Sequence, residues 1–170
     1  MIRIVIAEDQ EMLLEAIGTL LNLEDDMEVI GLAADGEEAI RLVQRLKPDV
    51  CIMNIEMPFK SGLEAAEILK PLGCKVIILT TFARQGYWQR ALKADVRGYL
   101  LKDSPSEELA CSIRSIIAGG RIYSQELMDQ RSEQEGMETS QELMPQDKPM
   151  LRTVKRYLST IKGKMKLPTG

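Results

Sequence analysis

Glu8 and Asp9 follow the apolar run "IRIVIA", and Asn54 follows "VCIM" just ahead of Glu56 and Pro58, so polar side chains stand where two strand-length runs end. An aspartate at position 54 would complete a three-carboxylate pocket with Glu8 and Asp9, able to hold a divalent cation through oxygen and to accept a phosphoryl group. Asparagine does not accept one. A neutral amide lacks the anionic oxygen of a carboxylate nucleophile, and its nitrogen has no usable lone pair. Thr80, ending "KVIILT", and Lys102, ending "GYLLK", add a hydroxyl and a cation suited to phosphate oxygens. The chain has no histidine, which excludes imidazole metal sites, His-based triads and a phosphohistidine relay within it.

The elements that carry these residues must bring them together. Five apolar runs, "IRIVIA", "MEVIGLAA", "DVCIMN", "KVIILT" and "GYLLK", are rich in Ile, Val and Leu and too unbroken for half-exposed antiparallel strands. They read as buried parallel strands. Between them, Met12, Leu13, Ala16, Ile17, Leu20 and Leu21 form one apolar helical stripe, and further helices are expected over 37–46, 63–69 and 87–94. Ser104-Pro105-Ser106-Glu107 supplies an N-cap, a first-turn proline and a capping-box glutamate for a fifth helix, which Gly119-Gly120 ends. Five strands alternating with five helices predict a doubly wound α/β sheet. Its functional crevice lies at the carboxyl ends of the strands, where Glu8, Asp9, Asn54, Thr80 and Lys102 stand.

A chain of 170 residues is long enough for one domain with a full core and an appendage. No apolar run approaches the roughly 20 residues of a membrane helix, and "MIRIVIAEDQ" has an acidic site where a signal peptide would be apolar. A cytoplasmic location without membrane insertion is therefore expected. Cys51, Cys74 and Cys111, odd in number and set among apolar neighbours, read as buried reduced thiols. The net charge of −4 is asymmetric: residues 1–147 hold 15 basic and 26 acidic side chains, and the remainder holds seven basic ones and no acid. Such a tail either meets an anionic partner, nucleic acid first, or folds back on the acidic body.

The acidic pair in "IAEDQ", the site "IMNIEMP", "ILTT" with its hydroxyl, and "GYLLKD" with tyrosine three residues before lysine resemble the receiver domain of two-component response regulators, over roughly 1–123. "LLKDSPSEELACSIRSIIAGGRIY" is similar to the NarL-like branch, whose outputs are LuxR-type helix-turn-helix domains. The resemblance implies a flavodoxin-like or CheY-like five-stranded parallel sheet and a role in phosphorelay signal transduction and transcription regulation. It makes Glu8, Asp9, Asn54 and the backbone carbonyl of Glu56 the Mg²⁺ ligands, with binding weakened by Asn54, and makes position 54 the phosphoacceptor. Thr80 becomes the switch hydroxyl, Tyr99 the aromatic that changes rotamer with it, and Lys102 the cation that pairs with phosphate. The implied partners are a cognate histidine kinase and a second copy or an intact regulator, paired as a weak dimer through helical faces.

The expected organisation is a receiver over 1–123, a linker over 124–149 and a basic helical remnant over 150–170. "TVKRYLSTIKGKMKL" resembles the LuxR-type recognition helix, with Val154, Leu158 and Ile161 as its apolar face and Thr153, Lys155, Arg156 and Lys162 as candidate DNA contacts. An output of that type needs about 60 residues, whereas fewer than 50 follow Tyr123 and no scaffold helices are recognisable. Pro149 and Pro168 bracket the segment and Gly163 weakens it, so the helix alone is marginal. The sequence thus reads as a response regulator without its phosphoacceptor that acts through protein–protein contact. The alternative is a DNA-binding transcription regulator that works without phosphorylation. An enzyme of similar architecture needs a nucleophile that only Asp9 supplies, so no enzymatic activity is expected.

Overall fold

A computed structural model describes residues 1–81, 84–104, 106–125 and 148–165. The strands are β1 (Ile2–Ala7), β2 (Met27–Ala33), β3 (Val50–Met53), β4 (Lys75–Thr80), β5 (Gly98–Leu101) and β6 (Ile122–Tyr123). They form one parallel sheet in the order β2-β1-β3-β4-β5-β6. The helices are α1 (Glu11–Asn22), α2 (Gly36–Leu46), α3 (Gly62–Leu69), α4 (Tyr87–Lys93), α5 (Ser106–Ile117) and α6 (Lys148–Met165). The strand order reverses between β1 and β3, where a doubly wound sheet opens its crevice.

The sheet has six strands rather than the expected five. Two residues, Ile122 and Tyr123, are too few to show a strand pattern in sequence, and they join the sheet by parallel pairing with β5. β2 is an edge strand whose Glu28 and Leu32 are exposed, so it is not a buried strand as its apolar run suggested. The central strands do alternate between two cores. Val5, Ala7, Cys51, Met53, Val76 and Ile78 face α2, α3 and α4. Ile4, Ile6, Val50, Ile52, Ile77 and Leu79 face α1, α5 and α6.

Local chemistry sets the helix ends. Asp35 accepts from the Glu38 amide at 2.9 Å while the Glu38 carboxylate accepts from the Ala34 amide at 2.9 Å, a reciprocal cap on α2. Ser61 caps α3 through the Glu64 amide. At Gly62 an added Cβ would lie 2.0 Å from the Asn54 carbonyl oxygen, so only glycine lets α3 start directly against the end of β3. Beyond α5, Gly119 takes φ of 100° and the Gly120 amide reaches the Ser115 carbonyl, closing the helix at the predicted glycine pair. Pro105 lies outside the described residues.

The α1 stripe is wider than its spacing suggested. Leu13, Leu14, Ala16, Ile17, Gly18, Leu20 and Leu21 are buried, while Met12 points to solvent. The extra width is explained by α6, which packs against α1 and α5. α6 begins at Lys148, earlier than expected, and holds Pro149 in its first turn, where a missing amide hydrogen costs no helical bond. Its buried face is Thr153, Val154, Tyr157 and Ile161. Leu158, expected on that face, lies one step beyond Val154 around the helix and is exposed, and Tyr157 takes its place. Most of the expected linker, 126–147, lies outside the described residues. The thiols differ from expectation as well: Cys51 is buried, Cys74 half-buried, and Cys111 exposed on the outer side of α5. Among the described residues no helix is long and apolar enough to cross a membrane.

Candidate functional site

Strand register builds the site. Ala7 is level with Met53, so the next residues, Glu8 and Asn54, emerge together at the sheet edge. The Glu8 amide is held by the Ala33 carbonyl and the Asn54 amide by the Ala7 carbonyl, each at 3.0 Å. On the neighbouring pair Thr80 is level with Leu101, and the Lys102 amide donates to the Thr80 carbonyl at 2.8 Å. β4 and β5 run two residues past the level of Ala7 and Met53, since Met53 is level with Ile78 and Ile78 with Tyr99, so Thr80 and Lys102 reach over the same sheet edge.

The side chains divide into two connected groups. Lys102 Nζ meets Glu8 Oε2 at 2.7 Å, with both side chains almost fully buried. Burial pushes the Glu8 carboxyl up to about 7 against the pull of Lys102. The Gln10 amide also donates to Glu8 Oε1, so the carboxylate is bonded from two sides. In the second group Asn54 Nδ2 donates to Asp9 Oδ1 at 3.2 Å and to the Glu56 carbonyl at 2.9 Å. One NH₂ group thus joins the acid that follows β1 to the loop that follows β3. Asp9 is exposed, whereas Glu8, Asn54, Thr80 and Lys102 are buried. Among the described residues no three or more His, Cys, Asp and Glu side chains gather as a metal cluster.

Tyr99 lies fully inside, with its ring 5.5 Å from that of Trp88, which in turn stands edge-on to Tyr123 at 4.8 Å. Its hydroxyl has no hydrogen-bond partner among the described residues, and burial raises its pKa to about 12. Two residues that the sequence did not single out close over the second group. The Tyr87 hydroxyl donates to Glu56 Oε1 at 3.0 Å and Arg84 pairs with the same oxygen at 3.1 Å. They sit at the entry to α4, and no spacing signal links them to position 56.

Of the tail residues, Thr153 is buried and its Oγ1 donates to Asp103 Oδ1 at 2.8 Å. It therefore does not present itself to a duplex, which corrects its place among the DNA contacts. Arg156 donates to the Asp103 carbonyl oxygen, whereas Lys155 and Lys162 extend into solvent with no bond to the sheet domain among the described residues. Asp103, also missed from sequence, ties the helix to the residue beside Lys102.

A doubly wound parallel sheet with acids after β1, a polar acceptor position after β3, a hydroxyl after β4 and a lysine after β5 defines a phosphorelay receiver. The chain belongs to the response regulator receiver domain family, whose pattern matches residues 4–114. It is 68% identical over 129 residues to the transcriptional regulatory protein DesR of Bacillus subtilis (strain 168), a match that covers 76% of this chain and 65% of DesR. The chain thus spans just under two thirds of that relative. The DNA-binding response regulator of the LuxR family from Staphylococcus aureus shares 39% identity and superposes with a TM-score of 0.66, covering 69% of this chain and 99% of that one. The response regulator ChrA of a heme-sensing two-component system is 25% identical, with a TM-score of 0.67 over 96% of this chain and 86% of its own. Response regulators that pair such a receiver with transcriptional regulation, as DesR is named, are non-enzymatic.

Proposed function

We propose that this chain is a two-component receiver that keeps the scaffold of the phosphorylation site but does not carry a phosphoryl group, and that it acts by contact with other proteins. The observation that carries this reading is the double hydrogen bond from Asn54 Nδ2 to Asp9 and to the Glu56 carbonyl. Receiver domains generally bind Mg²⁺ at this acidic site. Here the donor set fits a hard dication poorly: the third carboxylate is an amide, its NH₂ faces two of the oxygens a cation would use, and Glu8 is committed to Lys102. The amide itself joins Asp9 to the loop that carries Glu56.

With the acceptor neutral, Lys102 has no phosphoryl oxygen to leave Glu8 for, and the loops rest in one arrangement. A histidine kinase, or an intact regulator of similar sequence, then meets a receiver that offers its surface without taking the phosphoryl group. DesR is named a transcriptional regulator. For this chain an effect on transcription would follow from such contacts. The test is incubation with acetyl phosphate and Mg²⁺, read by intact mass after confirming that Asn54 is not deamidated. The expected result is no acyl-phosphate on this chain and one on Asn54→Asp. An adduct mapped to Asn54 itself would overturn the reading.

A further inference from the structure

α6 is held as a ligand is held. Its apolar side chains Val154, Tyr157 and Ile161 are buried in the same core as α1 and α5, and both ends of that seam are fastened by polar contacts. At one end Thr153 and Arg156 bind Asp103. At the other Lys164 pairs with Glu24, which also receives Arg114 of α5 at 2.7 Å. The spacing of the apolar residues is that of an amphipathic helix seated in a groove; around it Lys164 and the Thr153 hydroxyl meet the carboxylates of Glu24 and Asp103, and Arg156 meets the Asp103 backbone carbonyl. The groove takes α6 by side-chain chemistry, because α6 adds no strand and makes no backbone pairing with the sheet.

We propose that the groove between α1 and α5 is a receptor for a basic amphipathic helix, and that α6 fills it in cis. A helix of the same chemistry carried by another molecule is therefore admitted only when α6 leaves. Tethering gives the resident helix an effective concentration on the order of millimolar for a short connection, so a free competitor is held off without any steric gate. The occupant also touches the functional site. Asp103 is adjacent to Lys102, whose Nζ binds Glu8, so the last turn of chain after β5 is gripped by α6 on one side and by the acidic site on the other. This assignment stands on α6 and its groove alone and does not require that Asn54 block phosphorylation.

The test is fluorescence anisotropy with a labelled synthetic peptide of residues 148–165, added to the full chain and to a full-length variant carrying Tyr157→Asp and Ile161→Asp, which releases α6 without altering the groove. The peptide is expected to bind the variant with a micromolar Kd and the unaltered chain at least tenfold more weakly. Adding Glu24→Lys to the variant is expected to weaken binding roughly threefold, as for a partly exposed ion pair, with recovery when the peptide carries Lys164→Glu. If the double variant does not fold, Tyr157→Ala alone takes its place and is expected to bind between the two extremes. Hydrogen exchange on the unaltered chain supplies an arm without substitutions, in which amides 154–161 are expected to be protected. Equal peptide affinity for the unaltered and released chains overturns the proposal, as does a folded variant that ignores the peptide at 100-fold the expected Kd, or exchange at 154–161 as fast as in the free peptide.

Discussion

Two buried charges meet at Lys102 and Glu8, and neither has water to fall back on. Such a pair contributes little net stability compared with apolar side chains, but removing one partner strands the other. Lys102→Met is therefore expected to cost up to about 3 kcal/mol on the alkaline side of the Glu8 pKa of about 7, where that carboxyl is ionised, and less on the acid side, where it takes up a proton, whereas Glu8→Gln together with Lys102→Met is expected to recover most of it. Urea unfolding of the two single variants and the double variant measures the coupling, and additive losses would show that the pair does not act as a unit. Residue types at this site were legible in the sequence, since each stands at the end of an apolar run. Their pairing was not. Position along the chain says that Glu8 and Lys102 share an edge, but only three-dimensional register says that Lys102 reaches Glu8 while Asn54 reaches Asp9 and Glu56. Tyr87 and Arg84 were invisible for the same reason: their contact with Glu56 depends on where α4 begins and has no sequence periodicity behind it.

At the scale of elements, strands and helices followed from apolar periodicity, because a period of about two or 3.6 residues is imposed by backbone geometry whatever the neighbours are. What periodicity does not report is a partner. α1 read as one stripe because a helix against a sheet needs only one, and its second buried flank exists because α6 lies there. Likewise Tyr157 rather than Leu158 faces inward, a choice made by the groove and not by the helix alone. The junction of α6 with Glu24 is sensitive to pH. Hydrogen bonding from Lys164 first, then Arg114, holds the Glu24 carboxyl below its ordinary value of 4.5. A carboxyl whose folded pKa is depressed stabilises the fold above the unfolded value and loses that contribution as pH falls through the folded one. The stability difference between the unaltered chain and Lys164→Met is therefore expected to be about 0.5–1 kcal/mol at pH 7 and to shrink progressively as the pH drops below 4.5. Thermal unfolding of both proteins across that range measures it, and a gap that stays constant would mean that Lys164 contributes through packing alone.

For the whole molecule, charge asymmetry left two outcomes open, an anionic partner or a tail folded on the acidic body, and α6 takes the second by placing Lys164 on Glu24 and Arg156 on the Asp103 carbonyl. Sequence could not choose between them, since a basic amphipathic helix is the same object in either setting. The consequence for nucleic acid follows from which side chains remain outside. Lys155 and Lys162 are exposed and attract any duplex, but Thr153 is buried and no described element scaffolds α6 for entry into a major groove. Contacts of the remaining kind release condensed counterions and weaken steeply as salt rises, and the acidic remainder of a chain with net charge −4 opposes them. Duplex binding is thus expected to be weak, indifferent to sequence and largely lost near physiological salt. A salt titration with a fluorescent operator-like duplex and a scrambled control decides the matter: a preference of tenfold or more for the first at physiological salt would mean that α6 leaves its groove to read bases, and that the chain regulates transcription by direct contact with DNA.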